Sequence, residues 1–267
     1  MYSLKEIRQL EKSKKARDTQ GLFVTEGRKL FQEAPAGQIR QIVTAAGFEK
    51  SHPEIAAILD GMRNIPMQRN LADSRFASVS DTQTPQGILT VMEKSGSEKL
   101  PAEEILGEIM GRNRAPFFLL LENLQDPGNV GTILRTAEAA GVDAVFLTEG
   151  CADLYAPKTI RSTMGSLFRV PHYYVKEQDL PPLFSHFSEA GGRSYAAHLK
   201  GDRSYTECDY SMGTMFVIGN EGNGITDRTA EATDQLIKIP MMGQVESLNA
   251  AMAAGILMYE AARQRRI

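Results

Sequence analysis

The stretch FFLLLENLQDPGNVGTILRTAEAAGVDAVFLTEG, residues Phe117 to Gly150, decides the fold of this chain. Phe117–Leu121 is an unbroken apolar run of strand length, Val142–Leu147 is a second apolar run interrupted only by Asp143, and the apolar residues between them recur at helical spacing. The stretch therefore predicts one strand, one helix and a second strand. In a parallel sheet, the loop after such a strand opens at the carboxyl edge, where ligands usually bind.

The loop after the first strand, Asn123–Gly131, is rich in residues that favour turns. These are Asp126, Pro127, Gly128, Asn129 and Gly131, and they predict irregular structure as far as Gly131. Arg135 then lies near the start of the helix, where the helix dipole favours acidic side chains over basic ones. An arginine at this position is either a solvated surface residue or a functional one, and the pattern leaves both interpretations open.

The composition is that of an ordinary globular protein, with 42% hydrophobic and 24% charged residues. A length of 267 residues is sufficient for two domains, each with its own core. No apolar run approaches the ~20 residues that span a bilayer, and MYSLKEIRQLEKSKK at the N-terminus has no apolar signal core. We therefore expect a cytoplasmic protein that has no membrane partner.

The cysteines and histidines follow no ligand spacing. Cys151 and Cys208 are not part of a CxxC pair, and none of the four histidines is paired in an HxxxH pattern. We expect reduced thiols and no metal.

Basic residues are concentrated at the N-terminus. Residues 1–30 contain eight basic and four acidic side chains and so have a net charge of +4. Because the whole chain has a net charge of −3, the rest of the chain has a net charge of −7. The pattern predicts one basic helix over Leu4–Arg17, with Leu4, Ile7 and Leu10 on its apolar side. Such a helix can lie on a phosphate backbone or simply be solvated.

Alternating short strands and helices predict an α/β fold with two domains. Residues 1–95 form a small α/β domain, and residues 96–113 form a linker because KSGSEKL, which ends at Leu100, is polar and is followed by Pro101. Residues 114–267 form the second domain. Its pattern predicts a mostly parallel sheet with helices on both faces.

Two further loops follow predicted strands. GNEGNGI, Gly219–Ile225, follows Met215–Ile218 and contains three glycines and the single charge of Glu221. It lacks the spacing of a dinucleotide-binding GxGxxG fingerprint, and a glycine-rich loop alone indicates either a tight turn or a ligand site. The last loop precedes a predicted helix over Leu248–Arg265. Ser247 and Asn249 lie at the start of this helix, and capping the helix is a sufficient explanation for a serine or an asparagine there.

Together the three loops resemble one family, the SpoU or TrmH class of SPOUT methyltransferases. These enzymes methylate the ribose 2′-hydroxyl of RNA with S-adenosylmethionine. NLQDPGNVGTILRTAEAAG is similar to their first motif, FVIGNEGNGI to the second, and IPMMGQVESLNAAMAAGI to the third, in the same order. LFVTEGRKLFQEA, residues 22–34, resembles the start of the ribosomal-protein-like substrate-binding domain that precedes the catalytic domain in many members.

The resemblance implies a SPOUT domain with a deep trefoil knot near residues 215–260 that holds S-adenosylmethionine. It also implies a homodimer in which both subunits contribute to each active site. The cofactor-binding residues that it implies are Gly219, Asn220, Ile239, Met241 and Leu248. The catalytic residues that it implies are Asn129, Arg135, Glu221, Ser247 and Asn249.

We expect RNA, and specifically 23S ribosomal RNA, as the substrate. A guanidinium is a poor base at neutral pH, so our hypothesis is that Arg135 binds the adjacent phosphate and stabilises the developing alkoxide. Glu221 would orient Arg135 or its partners. The side chains that we expect to contact RNA are Lys14, Lys15, Arg17, Lys158 and Arg161.

Several alternatives remain open. A non-catalytic RNA-binding assembly factor could keep the fold, although the complete set of motif residues argues against it. A nucleotide-dependent oxidoreductase would need the missing fingerprint. A tRNA methyltransferase or an antibiotic-resistance methyltransferase would have the same motifs.

Overall fold

A computed structural model describes residues 1–95 and 101–265, which form two compact units. The first unit comprises residues 1–95 together with Asp153–Phe168, and the second comprises the other described residues. The domain boundaries predicted near residues 95 and 114 do not account for Asp153–Phe168, which packs with the first unit although it lies late in the chain. No helix among the described residues has the length and apolar character needed to cross a membrane.

The described chain folds into the following helices and strands. The helices are α1 (Leu4–Lys12), α2 (Lys14–Gln20), α3 (Arg28–Glu33), α4 (Phe48–Ser51), α5 (Pro53–Gly61), α6 (Asp73–Ala77), α7 (Ala102–Arg112), α8 (Pro127–Ala139), α9 (Pro157–Thr163), α10 (Leu180–Glu189), α11 (Asp227–Ala232) and α12 (Ala250–Arg265). The strands are β1 (Leu22–Glu26), β2 (Ile39–Ala45), β3 (Met67–Leu71), β4 (Ile88–Glu93), β5 (Phe117–Leu121), β6 (Ala144–Thr148), β7 (His172–Val175), β8 (Arg193–Ala197), β9 (Arg203–Ser204), β10 (Thr214–Ile218) and β11 (Gln235–Lys238).

The first unit is built on a four-stranded sheet in the order β1-β4-β2-β3. β4 is antiparallel to both neighbours, and β2 is parallel to β3. Ile7 and Leu10 of α1 pack into the same core as Val24, Val43 and Val91, which explains the apolar side predicted for this helix.

The basic N-terminal helix was predicted as one element and is in fact two. Ser13 has extended backbone angles, with φ −125° and ψ 114°, so it ends α1. Its hydroxyl accepts a hydrogen bond from the backbone N–H of Ala16 at 3.2 Å and thereby caps α2. The prediction of a continuous helix over Leu4–Arg17 was therefore wrong, because a serine that caps a second helix interrupts it.

The second unit contains a seven-stranded sheet in the order β7-β6-β5-β10-β8-β11-β9. Every neighbouring pair in it is parallel, as the sequence predicted. Phe118 and Leu120 of β5 lie in one core with Leu106 of α7 and Phe184 of α10. The chain continues from β5 to β6 on one side, whereas β10 pairs with β5 on the other. The order of the strands thus reverses between β5 and β10, and the crevice beyond such a reversal is the usual ligand site of a parallel sheet.

Candidate functional site

The first two predicted loops meet at this reversal point. Asn123, just after β5, has a positive φ of 53°, and its backbone N–H donates a hydrogen bond to the Thr148 hydroxyl oxygen at 2.8 Å. The backbone carbonyl of Asn123 accepts a hydrogen bond from the side-chain amide of Asn220 at 2.8 Å. This bond connects the end of β5 directly to the loop after β10.

The first loop is shorter than predicted. α8 begins at Pro127, and the Asp126 carboxylate caps it by accepting a hydrogen bond from the backbone N–H of Asn129 at 2.8 Å. The prediction of irregular structure as far as Gly131 was therefore wrong. An aspartate followed by a proline is itself a signature of a helix start, since proline suits the first helical position. Arg135 consequently lies in the third turn of α8 rather than near its start.

The second loop closes on itself. Asn220 and Gly224 exchange two backbone hydrogen bonds of 2.9 Å, and the Asn220 side-chain oxygen accepts from the backbone N–H groups of Gly222 and Asn223. A Cβ at Gly219 would lie 2.2 Å from the carbonyl carbon of Gly224. Glycine is therefore required at position 219 by the close approach of the loop's own backbone.

Glu221 projects from the second loop towards the first. Its carboxylate accepts hydrogen bonds from the Asn129 side-chain amide at 3.0 Å and from the backbone N–H groups of Gln125 and Asp126 at 3.2 and 3.1 Å. Burial raises the pKa of Glu221, but the hydrogen bonds outweigh it, and the resulting pKa lies below the ordinary value. Glu221 is therefore ionised at neutral pH.

Asn249 joins the third loop to the same cluster. Its side-chain oxygen caps α12 by accepting from the backbone N–H groups of Ala251 and Met252, so α12 begins at Ala250 and not at Leu248. Its side-chain amide donates to the Asn129 side-chain oxygen at 2.9 Å. Asn129 thus bridges Glu221 and Asn249, and residues that are 92 and 120 positions apart from it in the chain meet at one amide.

Arg135 and Ser247 are not joined to this cluster. Both side chains are exposed. Within residues 1–95 and 101–265, the Arg135 guanidinium has no hydrogen-bond or ion-pair partner. The structure thus brings together three of the five predicted catalytic residues and leaves a cation and a hydroxyl accessible on adjoining elements.

The third loop differs from the other two in its backbone. In the described part of the chain, no backbone–backbone hydrogen bond involves residues 240–248, so the N–H and C=O groups of this loop are available to a ligand. Ile239, Met241 and Leu248 are half-buried beside them. Free backbone groups next to apolar side chains are suited to an adenine ring, so this loop fits S-adenosylmethionine.

The sequence analysis overlooked Glu122. It is 1% exposed, and its carboxylate accepts hydrogen bonds from the backbone N–H and hydroxyl of Thr226 and from the hydroxyl of Thr229, at 3.0, 2.8 and 2.7 Å. It thereby fixes the start of α11, which follows the second loop, to the end of β5, which precedes the first loop. The available signal was a carboxylate directly after a fully buried strand.

The predicted RNA-contacting residues all lie in the first unit. Lys14, Lys15 and Lys158 are exposed, and Arg161 forms an ion pair with Asp81 at 3.0 Å. Arg17 needs a correction, because its side chain is 5% exposed and forms an ion pair with Asp153 at 2.6 Å. It also donates to the backbone carbonyls of Leu10 and Glu11, so it stabilises the unit and is not accessible to RNA.

The cysteines and acidic residues offer no metal centre in the parts of the chain that the structure covers. No group of three potential ligands occurs among the described residues, and Cys151 and Cys208 are free thiols. The expectation that the protein binds no metal stays a prediction.

Two family models match the sequence. Residues 116–259 match the SpoU rRNA methylase family, and residues 2–90 match the MRM3-like substrate binding domain. The chain is similar to the 23S rRNA (guanosine(2553)-2′-O)-methyltransferase RlmP of Bacillus subtilis, with 34% identity over 92% of this chain and 91% of the relative.

Solved structures resemble both units. The AdoMet-bound rRNA methyltransferase of Sinorhizobium meliloti has a TM-score of 0.81 and 30% identity, covering 97% of this chain and 94% of that one. The SpoU methyltransferase AviRb of Streptomyces viridochromogenes, in complex with AdoMet, has a TM-score of 0.83 and 26% identity, covering 98% and 97%.

Proposed function

The chain belongs to the SpoU rRNA methylase family, and we propose that it transfers a methyl group from S-adenosylmethionine to a ribose 2′-hydroxyl of 23S ribosomal RNA. The observation that carries this proposal is the hydrogen-bonded cluster of Asn129, Glu221 and Asn249, which joins one residue from each motif at the carboxyl edge of the sheet. The similarity to RlmP, whose name specifies 2′-O-methylation of 23S rRNA, supports the choice of substrate.

The cofactor would be held by the second and third loops. Gly219 and Asn220 would supply backbone groups on one side, and Ile239, Met241 and Leu248 would surround the adenine on the other. S-adenosylmethionine supplies, when bound, a methyl group on a sulfonium that an oxygen nucleophile can attack. The similarity to two AdoMet-bound structures supports this assignment.

Arg135 is the residue that we assign to the reacting ribose. Its guanidinium stays protonated at neutral pH, so it acts as a cation and not as a base. It binds the phosphate next to the target ribose with its two-pronged donor face and stabilises the negative charge that develops on the 2′-oxygen. The exposure of its side chain and the lack of a partner for it in the described chain support this role.

Asn129, Glu221 and Asn249 set the geometry around that cation. Both ends of the Asn129 amide are occupied, one by Glu221 and the other by Asn249, so Asn129 acts by holding the two other loops in register. Ser247, which is exposed two residues before Asn249, would contact the ribose or its phosphate. Orienting the two reactants in this way lowers the entropic part of the barrier.

The first unit would bind the ribosomal RNA. Lys14 and Lys15 on α2 and Lys158 on α9 are exposed cations within this unit, and Arg161 would add a further phosphate contact. Phosphate contacts of this kind position a protein on RNA and weaken as salt rises. The match of residues 2–90 to a substrate binding domain supports this division of labour.

The active form would be a homodimer in the cytoplasm, with a trefoil knot near residues 215–260. Four apolar side chains of the third loop and α12 are exposed: Met242 at 99%, Val245 and Met252 at 62% each, and Tyr259 at 55%. An exposed apolar patch of this kind is suited to a second copy of the chain. The other side of α12 packs against α8 and β10, so the dimer would adjoin the catalytic cluster.

Transfer of labelled methyl from S-adenosylmethionine to ribosomal RNA tests the proposal. Wild type is compared with Arg135→Ala, Arg135→Lys and the control Arg114→Ala, which removes an exposed arginine from the same unit. We expect label on a ribose of 23S RNA with wild type and the control. Arg135→Ala reduces the rate by about a thousandfold, and Arg135→Lys by about tenfold or more because lysine lacks the two-pronged donor.

The alternatives predict different results. A non-catalytic assembly factor would bind RNA and cofactor without transferring label to free RNA or to ribosomal precursor particles. Label on transfer RNA would redirect the substrate assignment while keeping the chemistry. A protein that binds no S-adenosylmethionine would contradict the methyltransferase assignment altogether.

A further inference from the structure

A cavity of about 410 Å³ lies in the second unit, away from the three motif loops. Arg193, Arg203 and Gln235 line it, and they are the first residues of β8, β9 and β11. Gly213, which directly precedes β10, forms another wall. The cavity is therefore associated with the amino ends of these parallel strands, whereas the motif loops follow the carboxyl ends of β5 and β10. Its volume is within the ~300–1,000 Å³ typical of small-molecule sites.

The two arginines of this cavity are not neutralised by ion pairs. In the described residues, neither the Arg193 nor the Arg203 guanidinium has a carboxylate within ion-pairing distance. Burial raises the pKa of the Cys208 thiol, while a hydrogen bond with Tyr210 and the positive charges of Arg203 and Arg193 act to lower that pKa. Arg193, Arg203 and Cys208 all line the cavity, which places two cations around a single volume.

The carboxylates nearby already accept hydrogen bonds from other groups of the protein. Glu207 accepts a hydrogen bond from the Ser204 backbone N–H at 2.9 Å, and Asp209 accepts one from the Ser211 backbone N–H at 2.9 Å. Asp234, which is also within the electrostatic reach of Arg193, accepts from Ser188 and Ser194. Glu207 and Asp209 hold local turns, whereas Asp234 joins α10 and β8 to the start of β11. None of the three forms an ion pair with Arg193 or Arg203 within the described chain, so the donor faces of the arginines are open to an external anion.

The cavity also offers a flat surface. The Arg193 guanidinium lies 5.8 Å from the centre of the Tyr195 ring, and this contact orients its planar group. An arginine plane can stack on a nucleobase, and a pair of guanidiniums binds phosphate through parallel hydrogen bonds.

From these observations we propose that this amino-edge cavity binds the phosphate group of a nucleotide through Arg193 and Arg203. The nucleotide is either free or part of an RNA strand, because both carry the same chemistry. The site is separate from the methyl-transfer site and does not depend on the function proposed above.

Calorimetric titration of the full-length protein tests this proposal. The probes are AMP, inorganic pyrophosphate and hexauridylate with a 5′-hydroxyl, which contains phosphodiesters only. Each titration is made in saturating S-adenosylhomocysteine, so that the proposed cofactor site cannot take the adenine of AMP. Wild type is compared with the double variant R193Q/R203Q and with R112Q/R114Q, which removes the same charge from exposed arginines of the same unit.

We expect at least one probe to bind wild type and the control equally, and to bind R193Q/R203Q about tenfold more weakly or worse. Arg203→Lys should give an intermediate affinity, because it keeps the charge and loses the two-pronged donor. Binding of AMP identifies a free nucleotide as the ligand, and binding of hexauridylate alone identifies an RNA strand. Equal affinity in R193Q/R203Q and wild type, or no binding of any probe at millimolar concentration, would overturn the proposal. Hydrogen exchange of β8 and β10 verifies that both double variants remain folded.

Discussion

Glu122 at the end of β5 and Glu11 at the end of α1 are both withdrawn from solvent, with exposures of 1% and 8%, but their surroundings are opposite. Three hydrogen-bond donors of Thr226 and Thr229 point at the Glu122 carboxylate. Glu11 faces the carboxylates of Glu26 and Asp81, and the cations Arg161 and Lys12 compensate only in part. Burial, reinforced by these two acids, raises the pKa of Glu11 to about 8.

The difference shows that burial alone does not decide what a carboxylate does for a fold. Glu122 is a fixed hydrogen-bond acceptor that joins the end of β5 to the start of α11. Glu11 holds a proton at neutral pH, so it adds no negative charge to the basic N-terminal helices. The positive charge of residues 1–30 is therefore larger by about one unit than the formal count, which favours the proposed contact with RNA.

The largest effect is expected at Glu122. Glu122→Ala leaves three buried donors without an acceptor, and we expect the second unit to lose about 3 kcal/mol of its free energy of unfolding. Hydrogen exchange of β5 and β10 measures this loss. Glu149→Ala, an exposed carboxylate in the same unit, is the control and should change stability by no more than about 0.5 kcal/mol. An equal loss in both variants would contradict the role of Glu122.

The opposite sign is expected at Glu11. Glu11→Gln removes a group that is costly to ionise, so we expect the first unit to gain on the order of 2 kcal/mol at pH 9 and little at pH 4. Exchange of the β2 amides, Ile39–Ala45, corrected for the intrinsic effect of pH, reports this stability. A variant that is less stable than wild type at pH 9 would show that the Glu11 carboxylate has a favourable partner.

Wild type should show the matching pH dependence. The pKa of Glu11 is about 8 in the folded state and near 4.5 in the unfolded state, so between these values the folded state holds a proton that the unfolded state has released. Stability of the first unit therefore falls as pH rises from 4.5 to 8 and levels off above it. The decrease should be absent in Glu11→Gln, and a decrease that persists there would assign it to another group.

Glu221 provides an intermediate case, since it is exposed at one side and hydrogen-bonded at the other. Burial raises its pKa, but hydrogen bonds from Asn129, Asp126 and Gln125 lower the pKa by more than burial raises it. The ionised carboxylate therefore stabilises the site at pH values above its ordinary pKa, and this stabilisation is lost as the pH falls through the lowered pKa. Glu221→Gln replaces one carboxylate oxygen, which accepts hydrogen bonds, by an NH2 group, which cannot accept them from the backbone N–H groups of Gln125 and Asp126. We expect kcat to fall about tenfold, with a smaller change in the Kd of S-adenosylhomocysteine. An unchanged kcat would remove Glu221 from the catalytic cluster.

The smallest effect is expected at Arg161. Arg161→Gln removes the ion pair with Asp81 and a charge that lowers the pKa of Glu11, so the first unit should lose about 0.5 kcal/mol at pH 8 and less at pH 5. Exchange of the β2 amides again provides the measurement. A larger loss at pH 5 than at pH 8 would contradict the coupling to Glu11.

The sequence predicted the fold best where apolar runs are long and uninterrupted. Phe117–Leu121 has the predicted bounds, because this strand is buried throughout. The break at Ser13 was missed because the lysine-rich segment after it has no apolar period to mark a new helix. Arg17 was misassigned because its partner Asp153 lies 136 residues away.

The candidate site was predictable in its membership but not in its connections. The family resemblance selected Asn129, Glu221 and Asn249, and these three are in contact. Local signals could not indicate that Asn129 would use both ends of its amide within the protein, because its partners come from loops about 100 residues away. Glu122 was missed for the same reason, since its donors follow the second loop.

The doubly engaged amide of Asn129 also constrains how this protein can evolve. Position 129 needs a donor towards Glu221 and an acceptor towards Asn249, so an aspartate there would meet a second carboxylate and lose the donor. In a lineage that replaced any one of the three residues, the hydrogen bonds that select the other two residue types would be lost, and those positions would be free to change. Mutational histories at these three distant codons are thus tied together, and substitutions at them will accumulate jointly or not at all.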